Sequence, residues 1–433
     1  MAIRLADKSS IGFYKYIYYF VMVVYMSQIV PTTNRMIAGL SSPWIPFLIP
    51  IALTIILVLL HPVKFFNKKL LSILGICGLW ALLVTIYNNL YSSSELSFQF
   101  FLFYSIIIAY IHVQVYGKQL VPLYESIIVL LCKISLPFWL LSVIAPSLMY
   151  GIASNFPESN LGHNILYLYN YIDLGTDHYL RNSGCSWEPG RFAIMILLGL
   201  YCNILRNGIK WNSNLFWLLA TLLTTMSTTG YSIAILMYTL ALTRYSHLKQ
   251  KVFFILLIVP LVAYLFSLDF MAHKVYEQSH LNDNVADLYE RFQYHNKATS
   301  EGEYIQSLGR FESMYFELSN INDAPILGYG RNPKNSYFYQ QISSNFYLTG
   351  GLLKIFSMYG LILGIYLYYI MYKSSRKLAI LFNSPMGSLL FIIVILSSIS
   401  YEIFMVPVFT AFWFYGIFMN NTLSQDLYRS ITR

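Results

Sequence analysis

Apolar runs of similar length recur along the whole chain, and this feature constrains the fold more than any other. A transmembrane helix needs about 20 mostly apolar residues to cross the hydrocarbon core of a bilayer. Runs near that length lie at roughly 15–31, 44–61, 70–90, 97–116, 121–146, 190–206, 212–226, 230–243, 252–268, 346–371, 386–401 and 403–420. The sequence therefore predicts an all-α integral membrane protein with about 12 transmembrane helices.

The composition is typical of a membrane protein without a separate soluble domain. Hydrophobic residues make up 57% of the 433 residues and charged residues only 11%, whereas a soluble globular protein carries roughly 25% charged residues. We expect residues 1–433 to form a single polytopic membrane domain. The first apolar run follows a basic start and has no small-residue cleavage pattern, so we expect it to be retained as a span.

Lysine and arginine predict the orientation of the spans. Cytoplasmic segments of membrane proteins are enriched in these residues. Basic residues occupy the segment before the first span and the segment after every second span, whereas the short segments on the other side contain one, Arg35. Both termini are therefore expected in the cytoplasm. The formal charge of +9 then reflects topology, and we expect no nucleic-acid partner.

Two long polar segments, about 147–189 and 269–345, are expected on the outer face. They hold most of the acidic residues, so any chemistry is expected outside the membrane. Within the larger loop, helical patterns over about 284–297 and 309–320 precede a turn-rich stretch at 322–334. Its glycines and prolines predict a shaped loop.

The segment 181–193 combines an irregular polar stretch with the start of an apolar helix. Pro189 suits the first helical position, since it lacks the N–H that would be orphaned there, and Glu188 before it suits the N-cap. Arg181 precedes this helix start and Arg191 lies in its first turn. The helix dipole disfavours a cation there unless an anion is bound, so we predict a candidate phosphate site. The alternative is that Glu188 pairs with one of the arginines and anchors the loop.

Three cations of the larger outer loop are further candidates: Arg310, Arg331 and Lys334. Arg310 begins the second predicted loop helix and is a candidate ligand for the same anion, because a guanidinium fork suits a diphosphate. The alternative is an ion pair with Glu312 or Glu317. The turn-rich stretch brings backbone N–H groups together with Arg331 and Lys334, which are candidate substrate ligands.

Two ionisable residues stand at or near apolar runs. Lys133 lies near the middle of the fifth predicted span, where a charge costs at least ~2.5 kcal/mol and normally faces a cavity or a partner. It is a candidate ligand for a lipid phosphate, and contact with Glu125 or with a carbonyl at the Pro137 break is the alternative. Glu402, between the last two spans, is expected to be a solvated hairpin residue.

No metal site or cofactor is predicted. Neither the histidines of the outer segments nor the cysteines show metal-ligand spacing. The residues concerned are His163, His178, His273, His280, His295, Cys77, Cys132, Cys185 and Cys202.

Several motifs together resemble a known family. They are Arg181-x2-Gly184-x3-Glu188-Pro189-Gly190-x-Phe192-Ala193, Ser227-Thr-Thr-Gly230, Gly309-Arg310, Pro325-Ile-Leu-Gly-x-Gly330, Asn345-Phe-Tyr-Leu and Tyr359-Gly360-Leu-Ile-Leu-Gly364. In their order and sidedness they are similar to those of the Wzy-type O-antigen or capsule polysaccharide polymerases, which are related to the O-antigen ligases. The resemblance covers roughly the second half of the chain and the pattern of about twelve spans with two outer loops.

The resemblance implies a metal-independent glycosyltransferase at the outer side of the bacterial inner membrane. Such enzymes transfer a glycan from undecaprenyl diphosphate to a new lipid-linked repeat unit. By this resemblance Arg181, Arg191 and Arg310 would hold the diphosphate, and Glu188 would be the candidate base. Asn345 is a further candidate substrate ligand, and a chain-length regulator and a flippase are possible partners.

One departure from the relatives favours a polymerase. O-antigen ligases usually carry a His-Asn pair before the span that follows the large loop, and this chain has Ser344-Asn345. A ligase that transfers finished glycan to an acceptor lipid is the alternative within the class. A transporter of lipid-linked sugars and a scaffold in an export complex are alternatives from other classes.

Overall fold

The computed structural model describes residues 12–28, 45–61, 63, 67–91, 93–156, 158–159, 162–172, 180–245, 287–290, 292, 306–404 and 406–419. The predicted run at 252–268 and both chain ends lie outside these residues. The described part is mostly helical. Every other predicted apolar run contains a helix.

The helices are numbered in chain order. They are α1 Phe13–Gln28, α2 Ile45–Leu60, α3 Lys68–Tyr87, α4 Ser93–Tyr116, α5 Leu120–Ile144, α6 Pro146–Ala153, α7 Pro189–Asn207, α8 Ser213–Thr224, α9 Thr228–Tyr245, α10 Arg310–Asp323, α11 Leu352–Leu381, α12 Leu389–Ser398 and α13 Pro407–Phe418. The described strands are short: β1 Glu158–Ser159, β2 Gly162–Ile165, β3 Tyr169–Tyr171, β4 Gln306–Ser307 and β5 Phe346–Tyr347.

Three described helices are long and apolar enough to cross a membrane. They are Lys68–Tyr87, the continuous helical stretch Gln99–Ile144 and Leu352–Leu381. The apolar helices Leu48–Leu60, Ser213–Thr224, Leu389–Ser398 and Pro407–Phe418 are shorter. A membrane protein with helical spans is therefore supported, and the count of about 12 spans stays a prediction.

The chain packs as two compact units. The first comprises the described residues of Met1–Val63, Val115–Cys202 and Asn212–Met226, and the second those of Lys64–Gln114, Asn203–Trp211 and Ser227–Arg433. In the first unit, β1, β2 and β3 form an antiparallel sheet in the smaller outer segment. Met149 and Ala153 of α6 pack against Ile165, Tyr169 and Tyr171 of this sheet.

In the second unit, the long helix α11 is kinked near its start. Gly360 has φ +72° and ψ 168°, which interrupts the helix, and the residues 325–330 fit into the gap. The N–H of Tyr329 donates to Ser357 O at 2.9 Å and the N–H of Leu361 donates to Pro325 O at 2.8 Å. These bonds satisfy backbone groups that the kink takes out of the helical ladder.

The larger of the two predicted outer loops contains an apolar core. The cluster consists of Leu288, Phe292, Leu308, Phe316, Phe338, Phe346 and Leu348. The predicted helix at 309–320 is confirmed as α10, whose start is capped by Glu312 Oε2 accepting the N–H of Gly309 at 2.7 Å. The apolar run predicted from 346 begins as the strand β5, and α11 begins only at Leu352, because β4 pairs with β5 and extends the outer loop.

Candidate functional site

The predicted site residues fall in both units. Lys133, Arg181, Glu188 and Arg191 lie in the first unit. Arg310, Arg331, Lys334 and Asn345 lie in the second. Each group is described within its own unit.

In the first unit, buried polar contacts hold the loop that precedes α7. Asn182 is fully buried, and its amide donates to Thr224 Oγ1 at 2.9 Å and to Ser135 Oγ at 3.3 Å. Its Oδ1 accepts the N–H of Gly184 at 2.9 Å. Gly184 has φ +52°, and a Cβ there would clash with the ring of Phe192. The loop therefore has a fixed path into the helix.

The helix start is where the sequence predicts it. α7 begins at Pro189, and the N–H of Phe192 donates to Glu188 O at 3.3 Å. Arg191 lies in the first turn, with its guanidinium 6.0 Å from the ring centroid of Trp187. Arg181 Nε donates to Thr225 O at 3.2 Å, at the end of α8. Both arginines are thus held beside a helix terminus.

Lys133 does not contact Glu125. Its side chain is exposed, and Nζ lies 5.7 Å from the ring centroid of Trp217. Glu125 is buried and instead accepts a hydrogen bond from Asn214 Nδ2 at 2.8 Å. The two residues are eight positions apart, which is more than two helical turns, so each finds its partner on α8.

In the second unit, Arg310 has hydroxyl partners. Its Nη1 donates to Thr229 Oγ1 at 2.9 Å and its Nη2 donates to Tyr401 Oη at 3.3 Å. The guanidinium also lies 5.4 Å from the ring centroid of Tyr401. Glu312 caps Gly309 and Glu317 is bonded to Ser357, so neither of the expected carboxylate pairs forms.

Glu402, next to Tyr401, lies close to two more cations, Lys354 and Arg331. Glu402 Oε2 lies 3.2 Å from Lys354 Nζ, and its Oε1 lies 4.0 Å from Arg331 Nη2. Lys354 Nζ also donates to Tyr347 Oη at 2.9 Å. The expectation of a solvated hairpin residue is wrong for Glu402, whose side chain is 24% exposed and ion-paired. We call residues 400–402 with Arg310, Arg331 and Lys354 the cationic cluster.

A buried carboxyl group lies behind the cluster. Glu317 Oε2 accepts hydrogen bonds from Ser357 Oγ at 2.5 Å and Asn320 Nδ2 at 2.9 Å. Burial raises the pKa of Glu317, and the nearby Lys354 ammonium opposes that shift. The bond from Ser357 ties α10 to the second turn of α11, whereas the bond from Asn320 lies within α10.

Lys334 and Asn345 lie on the turns that follow Arg331. The Lys334 side chain is exposed, and its N–H donates to Asn332 Oδ1 at 3.1 Å. Asn345 is buried, and its Oδ1 accepts a hydrogen bond from Ser344 Oγ at 3.3 Å. Of the two, Lys334 is the more accessible to a ligand.

Sequence reasoning missed Glu95 and Lys354. Glu95 lies in the first turn of α4 and is fully buried. It accepts the N–H of Arg331 at 3.2 Å and the amide of Asn335 at 2.8 Å. An acidic residue at the start of an otherwise apolar helix was the available signal, but its partners Arg331 and Asn335 lie 236 and 240 residues away in the chain.

One comparison with known proteins bears on these residues. Residues 213–355 match the family model described as O-antigen ligase. The matched range contains Arg310, Arg331, Lys334 and Asn345 and ends just after Lys354. No curated protein matches the chain.

Proposed function

From the premise that residues 213–355 carry the domain of the O-antigen ligase family, we propose that this membrane enzyme is a polysaccharide polymerase. It transfers a glycan from undecaprenyl diphosphate to a new lipid-linked repeat unit at the outer face of the inner membrane. The choice of polymerase rests on Ser344-Asn345, where the resembling ligases carry His-Asn. Both termini lie in the cytoplasm in this proposal.

The observation that carries the proposal is the state of Arg310. Its guanidinium is held by the hydroxyls of Thr229 and Tyr401, and within the described residues it pairs with no carboxylate. Neutral hydroxyls orient the group without cancelling its charge. An arginine that is oriented and left uncompensated is suited to a substrate phosphate.

The chemistry follows from the bond that breaks. The acceptor hydroxyl attacks the sugar C1, the bond from C1 to the diphosphate oxygen breaks, and the hydroxyl proton passes to a base. Negative charge grows on the leaving diphosphate, so preplaced arginines stabilise the transition state, each by ~3 kcal/mol or ~10²-fold in rate. Arg310 takes this role in the second unit, and Arg331, Lys334 and Asn345 contact the substrate.

The first unit contributes candidate groups of the same kind. The anion ligands in this proposal are Arg191, in the first turn of α7, and Arg181, whose side chain lies beside the end of α8. Glu188 is the base for the acceptor hydroxyl. An anion at the start of α7 offsets the unfavourable position of Arg191 in the helix dipole. Lys133 is assigned to a lipid phosphate.

The direct test uses purified chain in nanodiscs with synthetic undecaprenyl-diphosphate repeat units. Products longer than one repeat, formed without metal or nucleotide sugar, support the polymerase. Transfer only to an acceptor lipid would identify a ligase. Movement of the lipid across the bilayer of closed proteoliposomes, without elongation, would identify a transporter.

The arginine that carries the proposal gives the first prediction. Arg310→Ala is expected to lower the elongation rate by ~10²-fold, because a charged donor to the leaving group is lost. Arg310→Lys keeps the charge and is expected to lose less. Arg376→Ala is the control, because Arg376 also lies over a ring, that of Tyr372 at 5.9 Å, at the far end of α11. Equal rates in Arg310→Ala and Arg376→Ala would contradict the assignment.

The ligase is the second candidate, because the matching family model is described as O-antigen ligase. A deletion strain separates the two functions. Loss of a polymerase leaves surface glycan of a single repeat, whereas loss of a ligase leads to accumulation of lipid-linked polymer.

A flippase and a chain-length regulator are the partners expected for the polymerase. The orientation of the chain is tested by labelling cysteines introduced at residues 181–191 with a reagent added from outside.

A further inference from the structure

The guanidinium of Arg331 is buried with most of its donors unused. The residue is 8% exposed. Its Nε and Nη1 atoms are buried and have no hydrogen-bond partner within the described residues. Its Nη2 lies 4.0 Å from Glu402 Oε1, which is beyond hydrogen-bond distance.

The neighbouring carboxylates are engaged elsewhere. Glu402 makes its shorter ion pair, 3.2 Å, with Lys354. Glu95 accepts backbone N–H groups of Arg331 and Asn332 and the side-chain amide of Asn335. Neither group hydrogen-bonds to the Arg331 guanidinium.

The backbone that carries Arg331 is fixed. Gly330 has φ +89°, and a Cβ there would meet Glu95 Oε1 at 2.5 Å. The N–H of Gly330 donates to Met358 O at 3.1 Å. The backbone at Arg331 is therefore fixed, and from it the side chain extends into a buried position.

A buried arginine is costly when two of its nitrogens, Nε and Nη1, have no hydrogen-bond partner in the described residues and its carboxylate neighbour lies 4.0 Å away. A charged group removed from water without hydrogen bonds loses its solvation free energy, and a planar guanidinium recovers it best from an oxyanion that accepts two N–H groups. We propose that Arg331 is the centre of an oxyanion subsite that binds a carboxylate or phosphate group of the glycan substrate. The identity of this ligand as part of the substrate rests on the proposed function.

Two sources supply such an oxyanion, the lipid diphosphate and an acidic sugar of the repeat unit. Simple probes separate them: inorganic pyrophosphate stands for the first, glucuronate for the second, and glucose is the neutral control. A ligand that binds the folded protein raises Tm by mass action. The full chain in nanodiscs is therefore melted with each probe.

The expected result has two parts. Without a ligand, Arg331→Gln melts at a higher temperature than the native chain, because a buried charge with two nitrogens that lack hydrogen-bond partners and only a 4.0 Å contact to Glu402 is removed. With pyrophosphate or glucuronate, the native chain and Arg376→Gln gain Tm, and Arg331→Gln does not. A gain with glucuronate alone identifies an acidic sugar, and a gain with pyrophosphate alone identifies the lipid diphosphate.

Three results would overturn the inference: a lower ligand-free Tm for Arg331→Gln, no gain with either anion, or a gain that persists in Arg331→Gln. A pyrophosphate gain that is lost only in Arg310→Gln is such a case and leaves the proposed function standing. Failure of the native chain to elongate glycan, with the Arg331-dependent gain intact, rejects the proposed function alone.

Discussion

The three cations of the cluster differ in how their charge is met. Lys354 has a carboxylate at 3.2 Å and a tyrosine hydroxyl at 2.9 Å. Arg310 has two hydroxyls and a ring, and Arg331 keeps two buried donor atoms unpaired. Lys354 is thus a structural ion-pair partner, whereas the two arginines retain capacity for an anion.

The buried carboxyl group of Glu317 gives a prediction for pH. Its pKa is raised in the fold by burial, so the folded state favours the protonated form. This contribution is fully present below the unfolded pKa and is lost as pH rises through the folded pKa. Glu317→Gln mimics the protonated form and is expected to be more stable than the native chain at neutral pH.

Melting curves of both chains from pH 8 to pH 4 check this. The Tm difference between Glu317→Gln and the native chain is expected to shrink as pH falls. A difference that widens toward acid pH would show that the ionised carboxylate is the stabilising form.

Glu95 gives a prediction about the positioning of Arg331. Glu95→Ala leaves the buried N–H groups of Arg331 and Asn332 without their acceptor, at a cost of about 1–3 kcal/mol each. We expect a lower Tm and loss of the Arg331-dependent gain with anions. Glu95→Gln keeps one acceptor oxygen and is expected to restore part of that gain. A full gain in Glu95→Ala would show that the loop holds Arg331 without the carboxylate.

At the scale of elements, the kink of α11 and the turn at 325–330 are held together by backbone hydrogen bonds. The backbone bonds between them join two motifs, Pro325-Ile-Leu-Gly-x-Gly330 and Tyr359-Gly360, that the sequence shows only as separate strings. Trp80 of α3 adds a bond from Nε1 to Leu327 O at 2.9 Å. Gly328 and Gly360 are required because the backbone of each segment lies where a Cβ of the other would stand.

Gly360→Ala tests this contact. A Cβ at this position would clash with Ile326 O, and the backbone at φ +72° and ψ 168° is a region essentially restricted to glycine, which costs another residue about 1–3 kcal/mol. We expect a fall in Tm together with slower elongation, because the loop carrying Arg331 is displaced. Gly75→Ala is the matched control, since no heavy atom lies within 4 Å of its added Cβ and alanine favours a helix. Equal Tm values for the two variants would contradict the prediction.

For the whole molecule, the sequence was most informative where the physics is local. Hydrophobic runs predict helices because the apolar residues that a membrane helix needs are consecutive in the chain. Pro189 predicts the start of α7 because proline suits the first helical position. The sequence also proposes Arg310 and Arg331 as anion or substrate ligands, and this assignment stays a prediction. It did not predict that Glu402 pairs with Lys354, because ion pairs between distant segments depend on packing and leave no periodic pattern.

The contact between the turn at 325–330 and α11 also limits how the predicted outer loop can move. Tyr329, Gly330 and Leu361 use main-chain groups for this contact, so no rotamer change releases it. Moving the loop away from α11 would require breaking several backbone hydrogen bonds at once. Otherwise the N-terminal part of α11 would have to move together with the loop. A ligand that binds Arg331, as proposed above, would therefore be coupled through these backbone hydrogen bonds to the apolar body of the second unit.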